Sequence, residues 1–103
     1  MKIIVKKLNE NPLSLLRRAG YTFQRKENEE MSFVRAMAQG GYPRFHAYCR
    51  LDGATLFINL HLDQKKHTYG ENTRHHGEYE NEGVVKEEGQ RLQKLFGNDA
   101  EIG

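Results

Sequence analysis

Two histidines, an aspartate and two arginines fall at alternating positions along two neighbouring runs, RFHAYCRL and ATLFINLHLD. Arg44, His46, Tyr48 and Arg50 occupy one parity of the first run, and Thr55, Phe57, Asn59, His61 and Asp63 one parity of the second. Imidazoles exchange protons near neutral pH, so His46 and His61 are candidates for general acid and base in phosphodiester or small-anion chemistry, with Arg44 or Arg35 holding the anion. The aromatic and cationic residues in the same pattern suit a nucleic acid, with bases stacked on Phe33, Tyr48 and Phe57 and phosphates held by Arg35, Arg44 and Arg50. His61-x-Asp63 is also a two-ligand start for a divalent metal, zinc, manganese or iron, which His46, His67, His75 or His76 would complete. No other cofactor is implied.

These residues converge only if the two runs pair. Asp52-Gly53 between them reads as a two-residue type I′ turn, which places Leu51 opposite Ala54, Cys49 opposite Leu56, Ala47 opposite Ile58 and Phe45 opposite Leu60 on an apolar face. The titratable residues then share the other face. Upstream, Tyr21–Lys26 and Met31–Ala38 read as a further hairpin around the charged segment 27–30, and 39–43 as a turn. Simple registers through those turns place Tyr21, Phe23, Val34 and Ala36 on the apolar face. The opposite face then holds three rows: Phe33, Tyr48 and Phe57; Arg35, His46 and Asn59; Met37, Arg44 and His61.

Asn11-Pro12 is a helix cap followed by proline at the first helical position, and Leu13, Leu15, Leu16 and Ala19 form an apolar stripe that Gly20 closes. MKIIVKKL reads as an edge strand. Residues 64–81 are nearly devoid of aliphatic side chains and read as a long polar loop. Asn81 then caps a second helix, Glu82–Phe96, with Val85, Leu92, Leu95 and Phe96 buried, Gly89 allowing close approach to the sheet, and 98–103 a flexible tail. The expected fold is a single α+β domain over 1–97. It is a two-layer sandwich of order β-α-β-β-β-β-α, with a four- to five-stranded antiparallel sheet and two helices on one face.

With 103 residues and 37% apolar content, the chain is long enough for one core. No run has the roughly 18 apolar residues of a membrane span, and the N-terminal segment is too short and basic for a signal peptide, so a cytoplasmic protein is expected. The single cysteine, Cys49, excludes a disulfide framework and reads as a buried structural thiol. Residues 1–66 carry 12 Lys and Arg against 6 Asp and Glu, whereas 67–103 carry 4 against 8. A basic sheet half fits an anionic partner on the sheet, or pairing with the acidic half.

The segment LLRRAGYTFQR, followed by RFHAYCRLDG, resembles HicA-type toxins, small ribonucleases of double-stranded-RNA-binding-domain-like fold. The likeness lies in a helix ending Leu-Lys-Lys-Ala-Gly-Phe in that family, and in a strand histidine followed by an aromatic and a basic residue. Carried over, the family's catalytic histidine corresponds to His46. Arg44-Phe45-His46 stands where the family has Gly-Ser-His, and an additional strand intervenes. The resemblance implies RNA as partner. Three functions are therefore expected of the sheet face: RNA or other nucleic-acid binding through Phe33, Arg35, Arg44, His46, Tyr48, Arg50, Phe57, Asn59 and His61; histidine-dependent catalysis through His46 and His61; or homodimerisation.

Overall fold

The computed structural model describes residues 1–64 and 73–103, with the side chains of 73–82 excepted. Six strands and two helices follow one another as β1 (Lys2–Val5), α1 (Pro12–Arg18), β2 (Thr22–Glu27), β3 (Glu30–Ala36), β4 (Arg44–Asp52), β5 (Thr55–Asp63), α2 (Thr73–Phe96) and β6 (Ala100–Ile102). The strands form one antiparallel sheet of order β2-β3-β4-β5-β1-β6. The α+β fold is as expected, with six strands rather than four or five.

The differences have local causes. The strand at the N-terminus is interior, because β6 adds to its outer side. Residues 98–103, read as a tail, supply that strand: Gly97 adopts φ +94°, turning the chain back so that Ala100 is buried against β1. Helix α2 begins at Thr73 rather than after Asn81, so 73–81 of the expected loop is helical. Glu78, Glu80 and Glu82 favour a helix without an apolar stripe to announce it. The remainder of that expected loop, 65–72, lies outside the described residues.

Helix α1 is built as its sequence dictates. Asn11 Oδ1 accepts from the Leu13 amide at 2.8 Å, Pro12 takes the first helical position, and Gly20 turns the chain out at φ +96°. Leu15 and Leu16 from α1 and Val85 and Leu92 from α2 pack with Ile3, Phe33, Phe45, Ala47, Leu56, Ile58 and Leu60 of the sheet. Each fully buried side chain of this size contributes about 1.5–3 kcal/mol. Cys49 lies in the same core, and burial pushes its thiol up to about 12. Leu95, expected inside, sits at the rim of α2 and is exposed. At Gly89 an added methyl would overlap the Met1 sulfur, so the close approach expected there is made to the start of the chain.

The central hairpin turns one residue later than its Asp-Gly signal suggests. Gly53 alone of the two central residues, Gly53 and Ala54, has positive φ, at +64°, as a type II′ turn requires, and Asp52 pairs with Thr55. The partners become Leu51 with Leu56, Cys49 with Ile58, Ala47 with Leu60, and His46 with His61. This displacement shifts pairing by two residues, so every side chain of the hairpin keeps its expected face.

Candidate functional site

Strand β3 decides what the helix-free face contains. Its register places Phe33 opposite Ala47 and Ser32 opposite Tyr48, with Val34 opposite His46 and Ala36 opposite Arg44. Phe33 and Arg35 therefore point to the helices, and Ser32, Val34 and Ala36 to the open face. This reverses the expectation for β3. Phe33 is 1% exposed and packs edge-on against Phe23, ring centroids 5.6 Å apart. Arg35 reaches Glu88 of α2 at 3.5 Å. Met37 lies beyond β3, exposed, on the connection 37–43, where its amide donates to the Pro43 carbonyl. The three expected rows thus lose Phe33, Arg35 and Met37. A signal in the sequence favoured the true arrangement: burying Met31 and Phe33 removes more apolar surface from water than burying Val34 and Ala36.

The reversal brings forward a serine that sequence reasoning overlooked. Ser32 Oγ lies 2.7 Å from His46 Nε2, and His46 Nδ1 lies 3.1 Å from Asp63 Oδ2. Arg44 Nε donates to the same Asp63 oxygen at 3.3 Å, and its guanidinium stands over the Tyr42 ring at 4.5 Å. Ser32 and His46, on the face opposite the helix-packed core, are 5% and 7% exposed. Part of the cover is Tyr48, whose ring stacks on His46 at 4.2 Å and 19°. Gln24 is another contact. A β-bulge between Phe23 and Arg25 in the edge strand β2 inserts this residue, and its Oε1 accepts from Ser32 Oγ at 3.1 Å.

Proton counting constrains the line of contacts. Nδ1 of His46 faces both the Asp63 carboxylate at 3.1 Å and the Tyr48 hydroxyl at 3.3 Å. A carboxylate only accepts, so a proton on Nδ1 goes to Asp63, whereas an Nδ1 without one accepts from Tyr48. Ser32 has one proton and two acceptors within reach, Gln24 Oε1 and His46 Nε2. While it goes to Gln24, Nε2 donates to Ser32 Oγ; when Nε2 is the acceptor, the Ser32 proton turns to it.

The remaining site residues frame this line. His61 faces His46 across the hairpin and meets the Tyr48 ring edge-on at 5.6 Å. Partial burial and the N-terminal ammonium lower its pKa, favouring neutral imidazole. Burial and the carboxylates of Asp63 and Glu30 hold the Tyr48 hydroxyl above its ordinary value. The Arg50 guanidinium stands 5.0 Å from the Phe57 ring centroid. Lys2, Ile4, Glu30, Tyr48, Arg50 and Phe57 border a recess of about 190 Å³ on this face, and Asn59 opens into it opposite Tyr48.

Among the described residues no group of three His, Cys, Asp or Glu is placed to hold an ion. Asp63 instead pairs with His46 and Arg44. His67 falls outside the described residues, and the side chains of His75 and His76 are likewise not described. No helix among the described residues is long and apolar enough to cross a membrane. Comparison with protein-family models, curated proteins and solved structures finds no match to this chain.

Proposed function

We propose that the helix-free face of the sheet binds single-stranded nucleic acid, RNA in particular. The observation that carries this reading is the pose of Tyr48, stacked in parallel on a buried His46. A ring laid flat on a sheet offers its outer side as a platform for a base, and base–aromatic stacking contributes about 1–3 kcal/mol. Phe57 lies on the adjacent strand, two residues along the diagonal from Tyr48, in the range of neighbouring stacking positions. Lys2 and Arg50 flank the recess between them and have no ion-pair partner among the described residues. Their charges are available to phosphates. The resemblance to HicA-type ribonucleases leads toward RNA by an independent route.

Binding of fluorescein-labelled oligouridine, followed by fluorescence anisotropy, tests this. Affinity is expected to fall with salt by a log–log slope of about 0.7 per phosphate neutralised. Tyr48→Ala is expected to weaken binding by about 5- to 100-fold, the equivalent of one lost stacking contact. Absence of binding at low salt, or a Tyr48→Ala protein that binds as well as the parent, removes the proposal.

A further inference from the structure

We propose that Ser32, His46 and Asp63 form an acyl-transfer centre that cleaves carboxylic esters. The assignment goes beyond nucleic-acid binding and does not depend on it. The roles follow from which atoms meet. Asp63 Oδ2 lies 3.1 Å from Nδ1 of His46, beside the Tyr48 hydroxyl at 3.3 Å, and Nε2 faces the Ser32 hydroxyl at 2.7 Å; the reactive tautomer is the one whose Nδ1 proton goes to Asp63. That is the sequence of atoms by which a serine is made nucleophilic: a carboxylate orients the imidazole, and the imidazole takes the hydroxyl proton. Arg44 fixes the carboxylate from its other side. The three residues come from β3, β4 and β5, neighbouring strands of a rigid sheet, so their mutual geometry is set by the ladder.

In the reaction Ser32 Oγ attacks the ester carbonyl while its proton passes to His46 Nε2, and the Oγ–C bond forms as the carbonyl oxygen becomes an oxyanion. Collapse breaks the C–O bond to the alcohol, which leaves with the proton from Nε2. Water then attacks the acyl-serine, giving its proton to Nε2. The carboxylic acid departs and Oγ recovers its proton. Asp63 stays ionised throughout and stabilises the imidazolium.

Gln24 shields the nucleophile in this scheme: its side chain is exposed, on an edge strand, and its Oε1 contacts Ser32 Oγ, so its rotation uncovers the hydroxyl. The attack requires Nε2 of His46 to accept the Ser32 proton.

The test is covalent labelling of the whole chain by a fluorophosphonate, read by intact mass and peptide mapping, beside hydrolysis of 4-nitrophenyl acetate. One adduct is expected, on Ser32. It is absent from Ser32→Ala, and Asp63→Asn slows hydrolysis by on the order of 1,000- to 10,000-fold. In Ser32→Cys the paired thiol is expected to react with iodoacetamide at position 32 at neutral pH, while Cys49 does not react. Circular dichroism establishes that each variant is folded. A folded parent protein that takes no label on Ser32, or a Ser32→Ala protein that hydrolyses the ester as fast as the parent, overturns the proposal. Labelling without oligouridine binding would leave this proposal standing and remove the other.

Discussion

Among the described residues two polar clusters lie on opposite sides of the sheet, and they differ in chemistry. On the helix side Glu88 of α2, 4% exposed, accepts from Arg91 through both carboxylate oxygens at 2.8 Å and from the Tyr21 hydroxyl at 2.7 Å. Arg35 approaches the same carboxylate from β3, and Arg91 also donates to the Ala19 carbonyl at the end of α1. Burial pulls the Glu88 pKa upward, but the hydrogen bonds from Arg91 and Tyr21 and the charges of Arg91 and Arg35 outweigh it and hold the carboxyl below its ordinary value. Burial and Glu88 together keep Tyr21 protonated. Every group there has one charge state near neutral pH. On the open side, Ser32, His46 and Asp63 have comparable distances but contain an imidazole and a hydroxyl proton with two destinations. Burial alone therefore does not tell the two clusters apart; a hydroxyl with two acceptors within reach does.

Removing one member of each cluster separates them. Glu88→Ala is expected to have the largest effect on stability, about 3 kcal/mol, because it leaves Arg91 and Tyr21 without their acceptor. The low end of the range for buried pairs applies, since Arg91 is about one-third exposed. Urea denaturation measures it. Ser32→Ala is expected to cost less, about 1 kcal/mol by the same measurement, since the hydroxyl's contacts with His46 and the exposed Gln24 are lost while the Asp63–Arg44 pair stays intact. A larger loss for Ser32→Ala than for Glu88→Ala would invert the comparison.

The smallest effect is in pH dependence. The folded state holds His61 below its ordinary value, so the unfolded chain takes up this proton first as pH falls. Stability contributed by neutral His61 is present above the ordinary histidine range and declines as pH drops through it. Glu88 has the same sign in a more acidic window: its contribution is present above the ordinary carboxyl range and is lost as pH falls through the depressed folded value. Denaturation curves of His61→Asn and Glu88→Ala between pH 7 and 3 are expected to flatten the upper and lower parts of that slope respectively.

Much of this architecture was legible because its signals are local. Asn11-Pro12 and Gly20 bound α1 through capping geometry that involves only nearby residues. Alternation in RFHAYCRL and ATLFINLHLD separated Phe45, Ala47 and Cys49 from Arg44, His46 and Tyr48, and the displaced turn did not disturb that separation. The site was only half legible. His46, Tyr48, Phe57 and Asp63 were recognised by type and parity. Ser32 was not singled out, since the parity of β3 to which it belongs was placed on the wrong face, and Glu88 was not singled out either. Nothing short-range signals that a carboxylate at that position will meet Tyr21, which is distant in sequence.

By itself, then, the sequence determined which residues of each strand travel together, because alternation follows from the geometry of a single extended chain. Tertiary structure decided which of the two sets on β3 faces the helices, since the connection 37–43 can in principle deliver either parity, and a one-residue change exchanges every side chain between faces. Burial of Phe33 against the helices settles that choice in favour of the larger apolar side chain. The same turn of the strand carries Ser32 to His46, and so a residue without a distinguishing signal of its own completes the site.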